Sequence, residues 1–176
     1  MNRVFCYVVA FLSLLCVSVL ILTPRFAHSR TPLPTKSQKE SPMSQHAKGE
    51  FEVKIAALEP AFKFEENPLG RMSIDKQFHG ALEATSKGEM LSAGNPAKGA
   101  GGYVAMERVS GSLHGRTGTF VLQHSGTMSH GSYQMLVTVV PDSGTGQLVG
   151  LSGTMTIIIE DGKHSYEFAY SLPDSP

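Results

Sequence analysis

Two regimes of hydrophobic patterning divide this chain. Val4 to Leu22 is a 19-residue uncharged apolar run, relieved only by Ser13 and Ser18. From Glu50 onward, apolar and polar residues instead alternate in short stretches rich in β-branched and aromatic side chains, punctuated by Gly, Asn, Asp and Pro. That pattern predicts β-strands. Eight are expected, over 50–58, 71–79, 81–91, 102–113, 118–129, 132–141, 149–160 and 163–172. No stretch of the domain carries a capped 3.6-residue period, so no helix is expected there.

The connections sharpen the architecture. Gly80, His114-Gly115-Arg116-Thr117, Gly131 and Asp161-Gly162 are short and glycine-bearing, as hairpin turns are. Asp161-Gly162 is the clearest two-residue hairpin signal. Longer loops are expected at 59–70, 92–101 and 141–148. Sequential strands with short turns predict an all-β fold, an eight-stranded antiparallel up-and-down β-barrel, which removes exposed edges by closing. A two-sheet sandwich is the competing arrangement.

Alternation also assigns faces. One face carries Met72, Ile74, Lys76 and Phe78 in the second strand, and Leu82, Ala84, Ser86, Gly88 and Met90 in the third. The fourth contributes Tyr103, Ala105, Glu107, Val109 and Leu113; the fifth, Phe120, Leu122, His124, Gly126 and Met128. The eighth adds His164, Tyr166, Phe168, Tyr170 and Leu172. These mainly apolar faces are expected inside, each bringing a polar member with it. With Gly115-Arg116 as a type II′ loop, Glu107 would stand directly opposite His124. A carboxylate beside an imidazole inside a barrel is either a satisfied polar pair or an acid/base pair. Ser86-Lys87-Gly88-Glu89-Met90, Ser125-Gly126-Thr127-Met128 and Ser152-Gly153-Thr154-Met155 form a faint internal echo. Its simplest reading is glycine easing strand curvature.

Charge separates the same two regimes. Residues 1–48 hold six Lys/Arg against one acid, a net +5, whereas residues 49–176 hold nine against 14, a net −5. A mildly acidic domain without a basic stripe argues against nucleic-acid binding. All 18 glycines lie from Gly49 onward. Both cysteines, Cys6 and Cys16, lie in the leader, so 49–173 has neither a disulfide nor a thiol for catalysis or metal binding.

The run at 4–22 is long enough to cross a bilayer, and Ala27-His28-Ser29 offers a small-x-small cleavage site before Arg30. Residues 1–29 are therefore expected to be a signal peptide or membrane anchor, with the apolar run forming a helix. Basic-residue counting alone would hold the C-terminal side in the cytoplasm, whereas the N-terminal position and the polar segment that follows favour export to the periplasm, the extracellular space or a membrane-anchored state. Residues 30–48, with Pro32, Pro34 and Pro42, are expected to be a disordered tether. The barrel domain is expected over 49–173.

Few catalytic or metal motifs survive inspection. The domain histidines His79, His114, His124, His130 and His164 show no close ligand spacing, so no metal or cofactor is expected. Ala84-Thr85-Ser86-Lys87-Gly88 lacks the first glycine and the elbow of a serine nucleophile motif. Gly144-Thr145-Gly146 reads as a turn rather than a nucleotide loop.

Several strings together resemble a known family. They are Asp75-Lys76-Gln77-Phe78-His79-Gly80, Ser86-Lys87-Gly88-Glu89-Met90-Leu91 and Gly102-Tyr103-Val104-Ala105-Met106-Glu107-Arg108-Val109. Gly115-Arg116-Thr117-Gly118, Phe120-Val121-Leu122-Gln123-His124-Ser125-Gly126-Thr127-Met128, Val140-Pro141-Asp142-Ser143-Gly144-Thr145-Gly146 and Gly162-Lys163-His164-Ser165-Tyr166 complete the set. They resemble the bacterial family called domain of unknown function 3224, across nearly all of 49–173. The resemblance implies a β-barrel similar in fold to allene oxide cyclase. It carries no established activity, and fold analogy does not license one. It also implies a barrel mouth for a small, partly apolar molecule, and a tendency to form homo-oligomers.

Three functions follow as expectations. One is a binding barrel whose ligand meets Tyr103, Phe120, Tyr166, Phe168 and Tyr170, oriented by Glu107 and His124, with Lys76, Ser86 and His164 completing the candidate site. The second is an isomerase- or cyclase-like enzyme using Glu107 and His124 as acid and base. The third is a structural or interaction protein of the cell envelope with a packed barrel. A measurable interior cavity would favour the first two.

Overall fold

The computed structural model describes residues 44–66, 68–95 and 98–173. The leader and residues 30–43 of the expected tether lie outside the described residues. The eight strands are β1 (Gln45–Leu58), β2 (Gly70–Gly80), β3 (Leu82–Asn95), β4 (Ala100–Leu113), β5 (Arg116–Ser129), β6 (Ser132–Val139), β7 (Ser152–Glu160) and β8 (Lys163–Ser171). Each pairs antiparallel with its neighbours in chain order, and β1 pairs with β8 to close an up-and-down barrel. The sandwich alternative does not occur.

Three hairpins share one turn chemistry. His114-Gly115, His130-Gly131 and Asp161-Gly162 have positive φ at both central residues, 45° and 81°, 50° and 81°, 49° and 76°. Paired positive φ is the type I′ signature, whose twist matches that of the flanking strands. Glycine serves the second position in each case. The β4–β5 turn therefore begins one residue earlier than expected: the loop is His114-Gly115, and Leu113 pairs with Arg116. Glu107 consequently opposes Leu122, and His124 opposes Ala105. Moving a two-residue loop by one position shifts every pairing by two, so each side chain keeps its face. Glu107 and His124 remain on the same interior face as diagonal neighbours.

Other boundaries also move. β1 begins at Gln45, and Gln45–Glu50 pair with β8, so the last residues of the expected tether are barrel wall. Ala47 is fully buried, but the polar residues around it mask the alternation. Gly49 sits within the strand opposite Tyr166, where a Cβ would meet the Tyr166 hydroxyl at 2.7 Å. Most of the loop expected at 92–101 is strand, with Gly94 paired to Gly101 and Asn95 to Ala100. Small residues there resemble a turn in sequence, yet a ladder needs only backbone.

The two ends of the barrel differ. At the closed end lie the Gly80-Ala81 and His114-Gly115 turns and the 140–151 connection. That connection includes a single 3-10 turn, Gly146–Leu148. β6 reaches only to Val139, opposite Leu122, and the connection takes over its pairing role beyond that point. Thr145 N–H donates to the Thr119 carbonyl (2.8 Å), and the Val121 N–H donates to Ser143 Oγ (3.1 Å). The connection also contributes Leu148 and Leu151 to a core with Leu82, Leu113, Phe120 and Phe168. Tyr166 Oη accepts from the Leu82 N–H (2.8 Å) and donates to the His79 carbonyl (3.1 Å), tying β8 to the β2–β3 corner. At the mouth end, the inward-facing Ile55, Tyr133 and Ile159 are more than half exposed.

Leu148 is fully buried in the closed-end core. Leu148→Ala is expected to lower the urea-unfolding free energy by about 2–5 kcal/mol through lost contacts and a residual cavity. A loss below about 0.5 kcal/mol, as at an ordinary surface position, would contradict this packing.

Candidate functional site

Four polar side chains project into the barrel between its closed and open ends: Lys76 from β2, Ser86 from β3, Glu107 from β4 and His124 from β5. All four are buried, and Glu107 has no exposed surface. They meet because neighbouring strands place same-face residues side by side: Lys76 pairs with Ser86, and Ser86 with Val109, diagonal to Glu107. Lys76 Nζ donates to Glu107 Oε2 at 2.8 Å, and the Ser86 hydroxyl donates to Oε1. His124 Nε2 lies 2.8 Å from the same Oε2. That is ion-pair distance, yet Nε2 has no aligned hydrogen-bond partner. The two observations agree when the approach is off the N–H axis, a close polar contact rather than an aligned hydrogen bond.

Burial by itself would raise the Glu107 pKa. The contacts with His124, Lys76 and Ser86 outweigh it and lower the value from 4.5 to about 2. Glu107 is thus held as a carboxylate. The Lys76 ammonium also stands 4.9 Å from the Phe51 ring centroid and 5.6 Å from that of Phe78, close enough for cation–π attraction.

Above this cluster a cavity of about 370 Å³ opens toward the mouth. Its apolar wall is built from Phe51, Val53, Ile74, Met90, Met135 and Ile157, with Ile55 and Ile159 at the rim. Its polar lining is Lys76, His124, His164, Tyr103 and Tyr133. Glu107 and Ser86 stand behind that lining. Tyr103 Oη is 3.4 Å from Tyr133 Oη, and Tyr103's pKa is pushed up by burial first and then by Tyr133, which keeps it a neutral phenol. Gly126 makes this ring position possible: a Cβ there would lie 2.2 Å from Tyr103 Cε1. That gives one glycine of the Ser-Gly-Met echo a specific task.

The chain is similar to known proteins. The family described as "Protein of unknown function (DUF3224)" matches residues 47–170. The chain belongs to that family. A crystal structure of a DUF3224 protein of unknown function from Shewanella oneidensis MR-1 is 47% identical, with a TM-score of 0.71. The similarity covers 76% of this chain and 100% of that one. No curated protein matches.

Within this DUF3224 barrel, the sequence-derived candidates separate. Lys76, Ser86, Glu107 and His124 form one cluster, and Tyr103 and His164 line the cavity above it. Phe120, Tyr166, Phe168 and Tyr170 do not line the cavity; they pack in the core toward the closed end. Tyr170 Oη is satisfied there by His114 Nδ1 (2.7 Å) and Gln45 Oε1 (2.8 Å). Alternation places residues on the inner face but does not say at which height. Phe51, Tyr133, Met135, Ile157 and Ile159 were not singled out from sequence. Alternation along 50–58, 132–141 and 149–160 carries the signal for them. Among the described residues, no three His, Cys, Asp or Glu side chains gather as a metal ion would need.

A larger depression, about 510 Å³, lies on the outer wall beside Phe62, Leu69, Leu91, Val104 and Met106. Its charged members, Arg71 and Glu89, are joined to each other by hydrogen bonds of 2.7–2.9 Å. It presents no buried polar group awaiting a partner. The inner cavity, ending on buried ionisable groups, is the stronger candidate site.

Two outcomes follow from the buried pair. Lowering the Glu107 pKa from 4.5 to about 2 stabilises the fold fully above the ordinary carboxylate range, and that stabilisation is lost as pH falls through this interval. It amounts to something on the order of 3 kcal/mol at about 1.4 kcal/mol per pKa unit. Urea unfolding between neutral pH and pH about 2 should show this loss, and Glu107→Gln should flatten it. Separately, Lys76→Met leaves Glu107 buried and short of its ammonium. It is expected to cost about 3–5 kcal/mol, with the Lys76→Met/Glu107→Met double variant recovering most of the loss. Additive effects of the two single changes would refute the coupling.

Proposed function

We propose that this chain is an exported or membrane-anchored barrel that binds a small, partly apolar molecule in its mouth cavity. The observation carrying this reading is the cavity itself: an apolar wall of about 370 Å³ ending on a buried polar cluster. Ligand sites commonly combine a mostly apolar lining of about 300–1,000 Å³ with a few placed polar groups. An eight-stranded barrel has room for one small ligand when side chains do not fill it. The rim residues Ile55 and Ile159 expose apolar surface where a ligand would enter. The run at Val4 to Leu22 and the Ala27-His28-Ser29 sequence support the export part of the proposal.

Acid/base catalysis by Glu107 and His124 is less well supported. A carboxyl with a pKa of about 2 is a weak base at neutral pH. Glu107 also stands behind the cavity lining rather than in it. Of that pair, only His124 lines the cavity. The cavity likewise weighs against a fully packed barrel that acts through its surface alone.

The test is native mass spectrometry of the exported protein, followed by titration with the neutral fluorophore N-phenylnaphthylamine. A mass adduct lost on denaturation, or saturable fluorescence enhancement, is expected. Ile159→Trp, at an exposed rim position, should weaken the probe by about tenfold or more while leaving the unfolding midpoint unchanged. No probe binding, or binding indifferent to Ile159→Trp, would overturn the cavity reading. The intact mass also reads whether the leader has been removed.

A further inference from the structure

The polar lining of the cavity is one-sided. Lys76, His124, His164, Tyr103 and Tyr133 face it, and among the described residues no Asp or Glu does. The carboxylate that offsets Lys76 lies behind, with no exposed surface. A molecule entering from the mouth therefore meets hydrogen-bond donors and a positive charge before it meets Glu107.

Those donors have capacity left. An ammonium carries three N–H groups. Lys76 uses one on Glu107 Oε2, and its remaining surroundings include the faces of Phe51 and Phe78, which accept only weakly. His124 lines the cavity, with its Nε2 held 2.8 Å from Glu107 Oε2 and without an aligned hydrogen bond. Tyr103 is a neutral phenol 3.4 Å from Tyr133, so that contact is long and leaves a hydroxyl for a better acceptor.

We infer that the molecule this cavity takes is an organic anion, an apolar body bearing one anionic oxygen group, with that group seated against Lys76 and His124. This rests on the cavity reading above and specifies its ligand class. A carboxylate fits the description. It would accept from Lys76 and His124 at once, as charge-assisted hydrogen bonds that are strong in a site screened from water. An alcohol matches only part of the donor set. An amine would bring a second cation to Lys76 with no carboxylate on the cavity wall to receive it.

The experiment displaces N-phenylnaphthylamine from the full-length protein with decanoate, decanol and decylamine at pH 8, where decanoate is ionised. Decanoate is expected to bind at least about tenfold more tightly than decanol, with decylamine weakest. In Lys76→Met/Glu107→Met, which removes the buried charges together, the probe should still bind and the preference for decanoate should collapse. His124→Gln should reduce that preference and provides a second readout if the double variant does not fold. Equal displacement by decanoate and decanol, a preference for decylamine, or full preference retained in the folded double variant would each overturn the inference while leaving the cavity reading intact. Failure of the wild-type protein to bind N-phenylnaphthylamine or any competitor would overturn both.

Discussion

An ionised carboxylate with no exposed surface sits in the middle of this barrel, and its surroundings are organised by the need to keep it partnered. Removing a carboxylate from water is costly unless charge and hydrogen bonds replace the lost hydration. Lys76, Ser86 and His124 supply that replacement from three different strands. Each reaches Glu107 only if β2, β3, β4 and β5 pair in one register. A slip of one residue would turn these side chains to the outside of the barrel. The polar cluster therefore penalises wrong registers as well as shaping the site.

The cluster also marks the boundary between the two halves of the interior. Toward the closed end, the 140–151 connection crosses the barrel and contributes Leu148 and Leu151 to an aromatic and aliphatic core. It also supplies partners to β5 backbone groups beyond the end of β6. Toward the mouth, the His130-Gly131 and Asp161-Gly162 turns are two residues long. The inner face there is left with Ile55, Tyr133 and Ile159 at the rim. Closure on one side and openness on the other come from where the long connections go: 140–151 packs Leu148 and Leu151 into the interior, whereas Pro60, Ala61 and Phe62 of the 59–69 connection lie with the outer-wall residues Leu91, Val104 and Met106. Lys76 and His124 line the cavity on the open side, and Glu107 stands behind them.

Much of this was legible before the fold was known. Alternation on β2, β3, β4, β5 and β8 identified the inner faces, because the two-residue side-chain period is local and survives small errors in turn placement. It also placed Lys76, Ser86, Glu107 and His124 on those faces. The turn at His114-Gly115 was misplaced by one residue, since a histidine at positive φ is not a local preference; strand twist selects the type I′ geometry. Strand ends were less legible still. Ala47 is buried where β1 pairs with β8, opposite Phe168, and Gly94 belongs to a strand because Gly101 lies opposite. Neither fact has a signature within a few residues of its own position.

By itself, the sequence determined the number and direction of the strands, the inward-facing side of most of them, and the set of polar residues that would have to meet inside. Those properties follow from period, turn chemistry and the cost of burying an unpaired charge. Tertiary structure alone decided the height at which each inward residue stands. It sent Phe120, Tyr166, Phe168 and Tyr170 to the packed end and left Tyr103 and His164 at the cavity. It also decided that Lys76, rather than Glu107, lines that cavity. Height in a barrel is set by register between strands and by what covers each end. Both depend on contacts between residues far apart in the chain, and no local pattern encodes them.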